Sequence, residues 1–296
     1  MVSNAIEKAD HLIEAMRWIR QHRGKITVIK MGGSLMEDKA AMTHLLLDIV
    51  FMESVGMKPV VVHGGGAAIS QAMTAAGLVP QFVQGRRFTD SESLEIVKRV
   101  LGKEISESLV KQMRDMDGQA ESLSVSFGTN VLFGKKLCLE NEQGEKIDMG
   151  FVGEVTRVHV EPIQRLLYEG IVPVIPSIAI ADDGGGQCLN VNADTAASAV
   201  SRALQAEKLV YVSDVNGVRT NPTEPSSMID SITVARAREM LASGAIVGGM
   251  IPKIQGCLET LERGVKKIHI INGSLRHALL LEIFTSSGVG TEITDT

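Results

Sequence analysis

Residues Ile26 to Ser34, ITVIKMGGS, and Val60 to Gly66, VVVHGGG, are two β-branched runs that each stop at glycines. Such a run reads as a buried strand feeding a turn. Glycine in the turn lets backbone N–H groups approach a ligand that a Cβ would hold off. In an open α/β sheet the ligand crevice lies beyond the carboxyl ends of the strands. Both turns therefore face one site, and Lys30 brings it a positive charge. An anion is expected there.

The 296 residues around this pair suffice for a large core, in one big α/β domain or two lobes. A formal net charge of −5 offers no basic face to nucleic acid or an acidic membrane. Aromatics, at 3%, are too few for a base-stacking platform. Cys138, Cys188 and Cys257 are odd in number and scattered, which excludes a disulfide framework and a CxxC metal site and suits a reducing cytosol. The start, MVSNAIEKADHL, lacks a signal-peptide profile, and no apolar run approaches the roughly 20 residues of a spanning helix. A soluble cytoplasmic protein without a metal site of its own is expected.

Outward from the two turns, residues 3–22 read as a helix whose stripe is Ile6, Ala9, Ile13 and Met16, with Trp18 off it. That stripe suits packing on its own sheet or docking on another subunit. Helix 39–54 leads to strand 58–62, and Gly64 to Gly66 open a helix through Ala76. In GRRFTD, residues 85–90, Thr89 with Glu92 makes a capping box for one long helix carrying Leu94, Val97, Leu101, Ile105, Leu109 and Met113. An arginine just before that cap is placed to clamp a carboxylate.

Residues 122–158 read as hairpins, with Asn141 to Gly144 a solvated turn, and 171–180 as one short strand. The glycine-rich loop Asp182 to Gln187 is the best internal boundary. It divides the chain into a helix at 1–24, a first lobe at 25–181 and a second at 182–296. Asn190-Val191-Asn192-Ala193-Asp194 precedes a helix at 195–205, where it either caps or lines a polar cleft. Strand 208–213 ends in Ser213-Asp214. Gly248-Gly249-Met250-Ile251-Pro252-Lys253 starts another helix, and Lys253 opposes its dipole, so it answers to a ligand. Strand 267–271, helix 276–284 and a glycine-bearing tail from Ser286 complete the chain.

No GxxxxGK[ST], dinucleotide fingerprint, HExxH or GxSxG occurs. Two lysines at glycine turns repel each other unless an anion or an acid lies between them. A phosphoryl group in transfer meets that need. A carboxylate acceptor, with a reference pKa near ~4, is already ionised and needs no general base.

The ordered set IKMGGS, VVHGGG, GRRFTD, GFVGEV, NVNAD, SDVNGV, GGMIPK and HALLLEIFT…GVGT, running from residue 26 to 291, resembles the acetylglutamate kinases of the amino acid kinase family. The resemblance implies a three-layer αβα sandwich around an open, mainly parallel sheet, with an added N-terminal helix. It implies phosphoryl transfer from ATP to the γ-carboxylate of N-acetyl-L-glutamate, with Mg2+ arriving on the ATP. Lys30 and Lys253 match the lysines that stabilise the moving phosphoryl group, and Asp194 the acid that orients them. Gly65, Gly66, Arg87 and Asn190 match the acceptor site; Gly32 and Gly33, with Ser213 and Asp214, match the nucleotide side. Arg86 replaces a usual apolar residue, and Phe127 to Asn130 replaces a usual glycine-lysine-aspartate-glycine loop.

The helix at 3–22 further resembles that of arginine-inhibited hexamers, trimers of dimers, with Glu282 and Gly288 to Gly290 near the effector. A PII signalling protein is a partner the resemblance allows. The rival readings are a related kinase acting on an aminoadipate derivative, aspartate or carbamate, and a non-catalytic arginine-sensing module.

Overall fold

The computed structural model describes residues 2–295 apart from 141–142, 222–223, 225–226, 249 and 286–287. Asn141 and Glu142 of the expected turn, Gly249 of the third glycine pair and Ser286 of the tail lie outside the described residues. In chain order the first elements are α1 (Val2–His22), β1 (Ile26–Met31), α2 (Lys39–Ser54), β2 (Lys58–His63), α3 (Gly66–Ala75), β3 (Phe82–Val83), β4 (Arg86–Arg87), α4 (Ser91–Arg99), α5 (Ser106–Asp115) and β5 (Ala120–Ser122). Then come β6 (Leu132–Glu140), β7 (Lys146–Val158), α6 (Val160–Tyr168), β8 (Val172–Pro176), β9 (Ile178–Ala181), β10 (Cys188–Val191) and α7 (Ala193–Ala203). The chain finishes with β11 (Lys208–Ser213), β12 (Ser231–Thr233), α8 (Val234–Ala242), α9 (Met250–Glu262), β13 (Lys267–Asn272), α10 (Ala278–Phe284) and β14 (Thr291–Thr294).

Eight strands make one sheet in the order β12-β14-β13-β11-β1-β2-β8-β5. From β13 to β5 every neighbour is parallel, while β14 runs antiparallel to β13 and pairs parallel with β12. Alternate side chains of a strand face opposite sides, and β1 supplies both layers. Val28 packs among Val60, Leu209, Ile163, Val200 and Leu258, the side of α6, α7, α8 and α9. Ile29 and Met31 pack among Leu46, Ile49, Met113 and Leu279, the side of α2, α5 and α10. Burial on both faces is why these strands read as unbroken apolar runs. The result is the expected αβα sandwich. Met31 is in register with His63, so the two glycine turns leave the sheet side by side.

Strands β6, β7, β9 and β10 close a small barrel beside this sheet, and β3 with β4 forms a hairpin. The expected strand 171–180 is divided: β8 stays in the main sheet and β9 enters the barrel. The change falls at Ser177, whose N–H donates to the His63 carbonyl at 3.0 Å. The glycine loop 182–187 turns β9 back onto antiparallel β10. Helix α7 begins at Ala193 rather than 195, because the Asn192 side chain accepts from Asp194 and Thr195 N–H at 2.9 and 3.1 Å. The expected single helix after GRRFTD is interrupted by a π turn at Val100–Ile105. Its cap is Asp90, which accepts from Ser93 N–H at 2.8 Å; Thr89 does not cap and lies fully buried.

Along α1, Ile6, Leu12, Ile13 and Met16 are 56%, 72%, 63% and 41% exposed, so within one chain the stripe is not packed on the sheet. Among the described residues of α1, the end of the helix is the part that is held: Trp18 stacks on His22, and His22 is buried.

Candidate active site

Strand β1 delivers Lys30 to the carboxyl edge of the sheet, and the first turn of α7 delivers Asp194. Their side chains form an ion pair at 2.8 Å. An acid in the first turn is also favoured by the helix dipole. Lys253, four residues into α9, enters from the other side. Its Nζ donates to Ser213 Oγ at 2.8 Å, and Ser213 Oγ donates in turn to Asp214 Oδ1 at 3.2 Å. Burial lowers the Lys253 pKa from its ordinary value; Asp194 and Asp214 oppose that shift and Lys30 adds to it. The two lysines thus share one field without sharing one partner.

A cavity of about 210 Å³ runs from Lys30, Gly32 and Gly33 past Gly64 to Gly66, and on to Arg86, Arg87, Asn190 and Asn192. Helix α3 starts at its floor, turning the amides at Gly65 and Gly66 toward it, where anions are favoured. A Cβ on Gly65 would stand 2.4 Å from Ile105 Cδ1 and 2.7 Å from Leu101 Cδ2. The π turn therefore presses directly on the glycine turn. π turns recur at functional sites, and this one backs the cavity.

Arg87 is buried. Its Nη2 donates to the Gly66 carbonyl at 2.8 Å and to Ser70 Oγ at 2.7 Å, and Phe82 lies 4.8 Å from its Cζ in a cation–π contact. Burial lowers its pKa from the ordinary value. Arg86 lines the same cavity. Asn190 donates from Nδ2 to Thr89 Oγ1 at 3.0 Å. Fully buried His63 is held at both nitrogens, Nε2 2.9 Å from Ser106 Oγ and Nδ1 3.2 Å from the Gly64 carbonyl, and Ser106 Oγ also lies 2.9 Å from the Leu101 carbonyl. Burial pushes the His63 pKa down to about 4, so it is neutral and structural.

Beyond Asp214 opens a second cavity of about 400 Å³, walled by Val215, Ile246, Val247 and Met250 with Asn216 and Asn272. Gly32 and Gly33 lie on the first cavity and Asp214 on the second, with Ser213 and Lys253 between them.

The sequence profile of the amino acid kinase family matches residues 25–272. The chain belongs to the amino acid kinase family. It is 44% identical to an acetylglutamate kinase of Methanocaldococcus jannaschii, covering 98% of this chain and 97% of that one. It is 42% identical to one of Akkermansia muciniphila, covering 99% and 97%. Among solved structures, an N-acetylglutamate synthase from Neisseria gonorrhoeae, complexed with coenzyme A and L-arginine, is similar with a TM-score of 0.80 at 24% identity. That likeness covers 97% of this chain and 65% of the synthase, just under two thirds of its length, and shows the fold.

In this family member, the residues that the sequence left unread are those that hold others. Ser70 engages Arg87, Ser106 engages His63, and Gly102 in the π turn accepts from Ser124 Oγ at 2.8 Å through its carbonyl. The period of the preceding helix carries a signal for that turn. From Val97 the apolar residues step by four, to 101, 105, 109 and 113, which on a plain α-helix drifts about 40° at every step. A π turn takes up such drift.

Proposed function

We propose that the chain transfers the γ-phosphoryl group of ATP to the γ-carboxylate of N-acetyl-L-glutamate, giving N-acetyl-L-glutamyl 5-phosphate and ADP, a step of arginine biosynthesis. The observation that carries this reading is the Lys30–Asp194 pair at 2.8 Å, at the head of a cavity that also holds Arg87 and Asn190. Arg87 takes the α-carboxylate, Asn190 the acetamido group, and the Gly65 and Gly66 amides the reacting carboxylate. Lys30 and Lys253 offset charge on the phosphoryl oxygens as the bond to ADP loosens, while Asp194 keeps the two ammonium groups apart. The acceptor carboxylate is ionised on arrival, so no residue need remove a proton.

The second cavity, of about 400 Å³ with valine, isoleucine and methionine walls, suits a purine base. Gly32, Gly33, Ser213 and Asp214 face the phosphates. Mg2+ would arrive on the nucleotide and supply charge neutralisation at the phosphates, with Asp194 and Asp214 the carboxylates that would face it. On this reading residues 25–181 serve the acceptor and pair the subunits, 182–296 serve ATP, and 1–24 stand apart. A hydroxamate assay with ATP, Mg2+ and each candidate acid tests it. Acyl phosphate is expected from N-acetyl-L-glutamate; preference for an aminoadipate derivative, aspartate or carbamate would overturn the assignment.

Arginine inhibition of a hexamer is the regulatory part of the proposal. It is supported by the exposed stripe of α1 and by a buried charged cluster where that helix ends. There Glu282 accepts from His269 Nδ1 at 2.6 Å and from the Val289 and Gly290 amides at 2.7 and 2.9 Å. Burial works against its charge, but His269 and those amides hold the carboxyl below its ordinary value. Lys208 Nζ stands 3.2 Å from His269 Nε2. Arginine titration of turnover tests the effector, and co-purification tests a PII partner.

A further inference from the structure

Thr89 is fully buried between the arginine loop and the barrel, and neither caps a helix nor lines the cavity. Its hydroxyl has one proton. Oγ1 donates it to the Arg87 carbonyl at 3.0 Å, so toward Asn190, also 3.0 Å away, Oγ1 can only accept. That commits Asn190 to presenting Nδ2 to Thr89. Its Oδ1 is then the atom left for a ligand, and an acetamido N–H is a donor.

The backbone of Thr89 is fixed just as firmly. Its carbonyl accepts from Phe151 N–H at 2.7 Å and its N–H donates to the Met149 carbonyl at 3.3 Å, a bridge centred on Gly150. Gly150 sits at φ +66°, and a Cβ there would meet the Thr89 carbonyl oxygen at 2.2 Å. Only glycine admits that crossing, which gives the first glycine of GFVGEV its reason.

We infer that Thr89 is a positioning residue for the acceptor: one hydroxyl sets the amide orientation of Asn190 and ties it to the main chain of Arg87. The inference rests on the acceptor roles proposed above for those two residues. It makes Thr89 act on recognition of the acetylated acid while leaving the lysines and the nucleotide side untouched.

The test is steady-state kinetics on Thr89→Val, which keeps the shape and removes the hydroxyl, and on Thr89→Ser, which restores it. With two buried hydrogen bonds lost, KM for N-acetyl-L-glutamate should rise about 10- to 100-fold. KM for ATP should stay within about twofold, and serine should return the acceptor KM to near the wild-type value. In an Asn190→Ala background the valine change should add much less. Should Thr89→Val fail to fold, Thr89→Ala carries the same expectation. An unchanged acceptor KM in a folded variant, an equal rise for ATP, or no rescue by serine would overturn the inference. Failure of the wild-type protein to phosphorylate N-acetyl-L-glutamate at all would instead overturn the function on which it rests.

Discussion

Around Arg87 the polar groups are already engaged inside the protein: Nη2 on Gly66 and Ser70, Asn190 on Thr89, His63 on Ser106. Around Asp214 the larger cavity is walled by apolar side chains, and Val215 and Val247 are exposed. On the function proposed above, the contrast follows from what each half would recognise. A small acid offers little surface, so its binding groups have to be fixed beforehand, and buried polar groups held in place must be satisfied. On the proposed function a nucleotide would bring its own flat apolar face, and the exposed valines would gain their cover from it. On that assignment one half of the cleft is built before its ligand arrives, and the other would be finished by its ligand.

The lysines test that contrast most severely, because each belongs to one style of holding. Lys30 is paired directly with Asp194, whereas Lys253 donates to Ser213, which donates in turn to Asp214. Lys30→Ala and Lys253→Ala should each lower turnover by about 10²–10³ and move either KM little, as expected for groups that meet charge in the transition state. They should part in stability. Removing Lys30 leaves Asp194 without its ion pair, while removing Lys253 leaves the Ser213–Asp214 bond in place, so only Lys30→Ala should lower Tm clearly. Near-normal turnover in either variant would remove that lysine from the chemistry.

A smaller effect is expected within the acceptor half. Arg87→Ala should raise KM for N-acetyl-L-glutamate about 10- to 100-fold, the worth of a charge-assisted pair, and leave KM for ATP alone. Arg86→Ala should be milder, since Arg87 is the buried one of the two, held against Gly66, Ser70 and the Phe82 ring. If Arg86→Ala proved the more damaging, the clamp would be reassigned to Arg86.

Much of this cleft was legible because its parts are local. A β-branched run ending in glycines names a strand and its turn at once, and Lys30 sits beside such a landmark; Asp194 and Lys253 each sit in the first turn of a helix, the one after an asparagine pair and the other after a glycine pair. The unread parts depend on contacts far apart in sequence. Strand β12 has three residues and one buried side chain, and β14 lies in a stretch that reads as a tail; β12 exists because it pairs with β14, and β14 because it lies between β12 and β13. The division at Ser177 reflects a choice between two sheets that no period encodes. Thr89 has the sequence of a cap, with Glu92 three residues on, yet Asp90 takes the cap and Thr89 turns inward to a partner about 100 residues away.

His63, on the Arg87 side of the cleft, should affect stability without touching turnover at neutral pH. Its folded pKa is about 4 against 6.5 for a free imidazole. As pH falls below 6.5 the unfolded chain takes up a proton that the folded chain refuses. Stability is therefore lost between about 6.5 and 4 and levels off below. The shift corresponds to about 3 kcal/mol at the acid end. His63→Gln, which keeps a hydrogen-bonding group for Ser106 and cannot titrate, should lessen the slope of urea midpoint against pH in that window, where His22, also pushed down to about 4 by burial, keeps its own share. An unchanged slope would mean that His63 charges within the fold.

Turnover should also change little when α1 is shortened. Its exposed residues Ile6, Leu12, Ile13 and Met16 form a stripe that the single chain does not cover, while Trp18 and His22 form the part it does. A deletion of residues 2–16 therefore removes the uncovered stripe and leaves the held end in place. If the stripe docks on the equivalent helix of a second subunit, the truncated protein should fall from hexamer to dimer with the αβα core intact. Acyl-phosphate turnover should stay within about twofold, since no residue of the cleft lies in that segment. Arginine sensitivity should largely disappear, because an effector bound beside His269 and Glu282 can bias activity only through a state that the helix helps to hold. Light scattering and arginine titration decide the matter together. A truncated protein that is still hexameric and still fully inhibited would show that the stripe has another use.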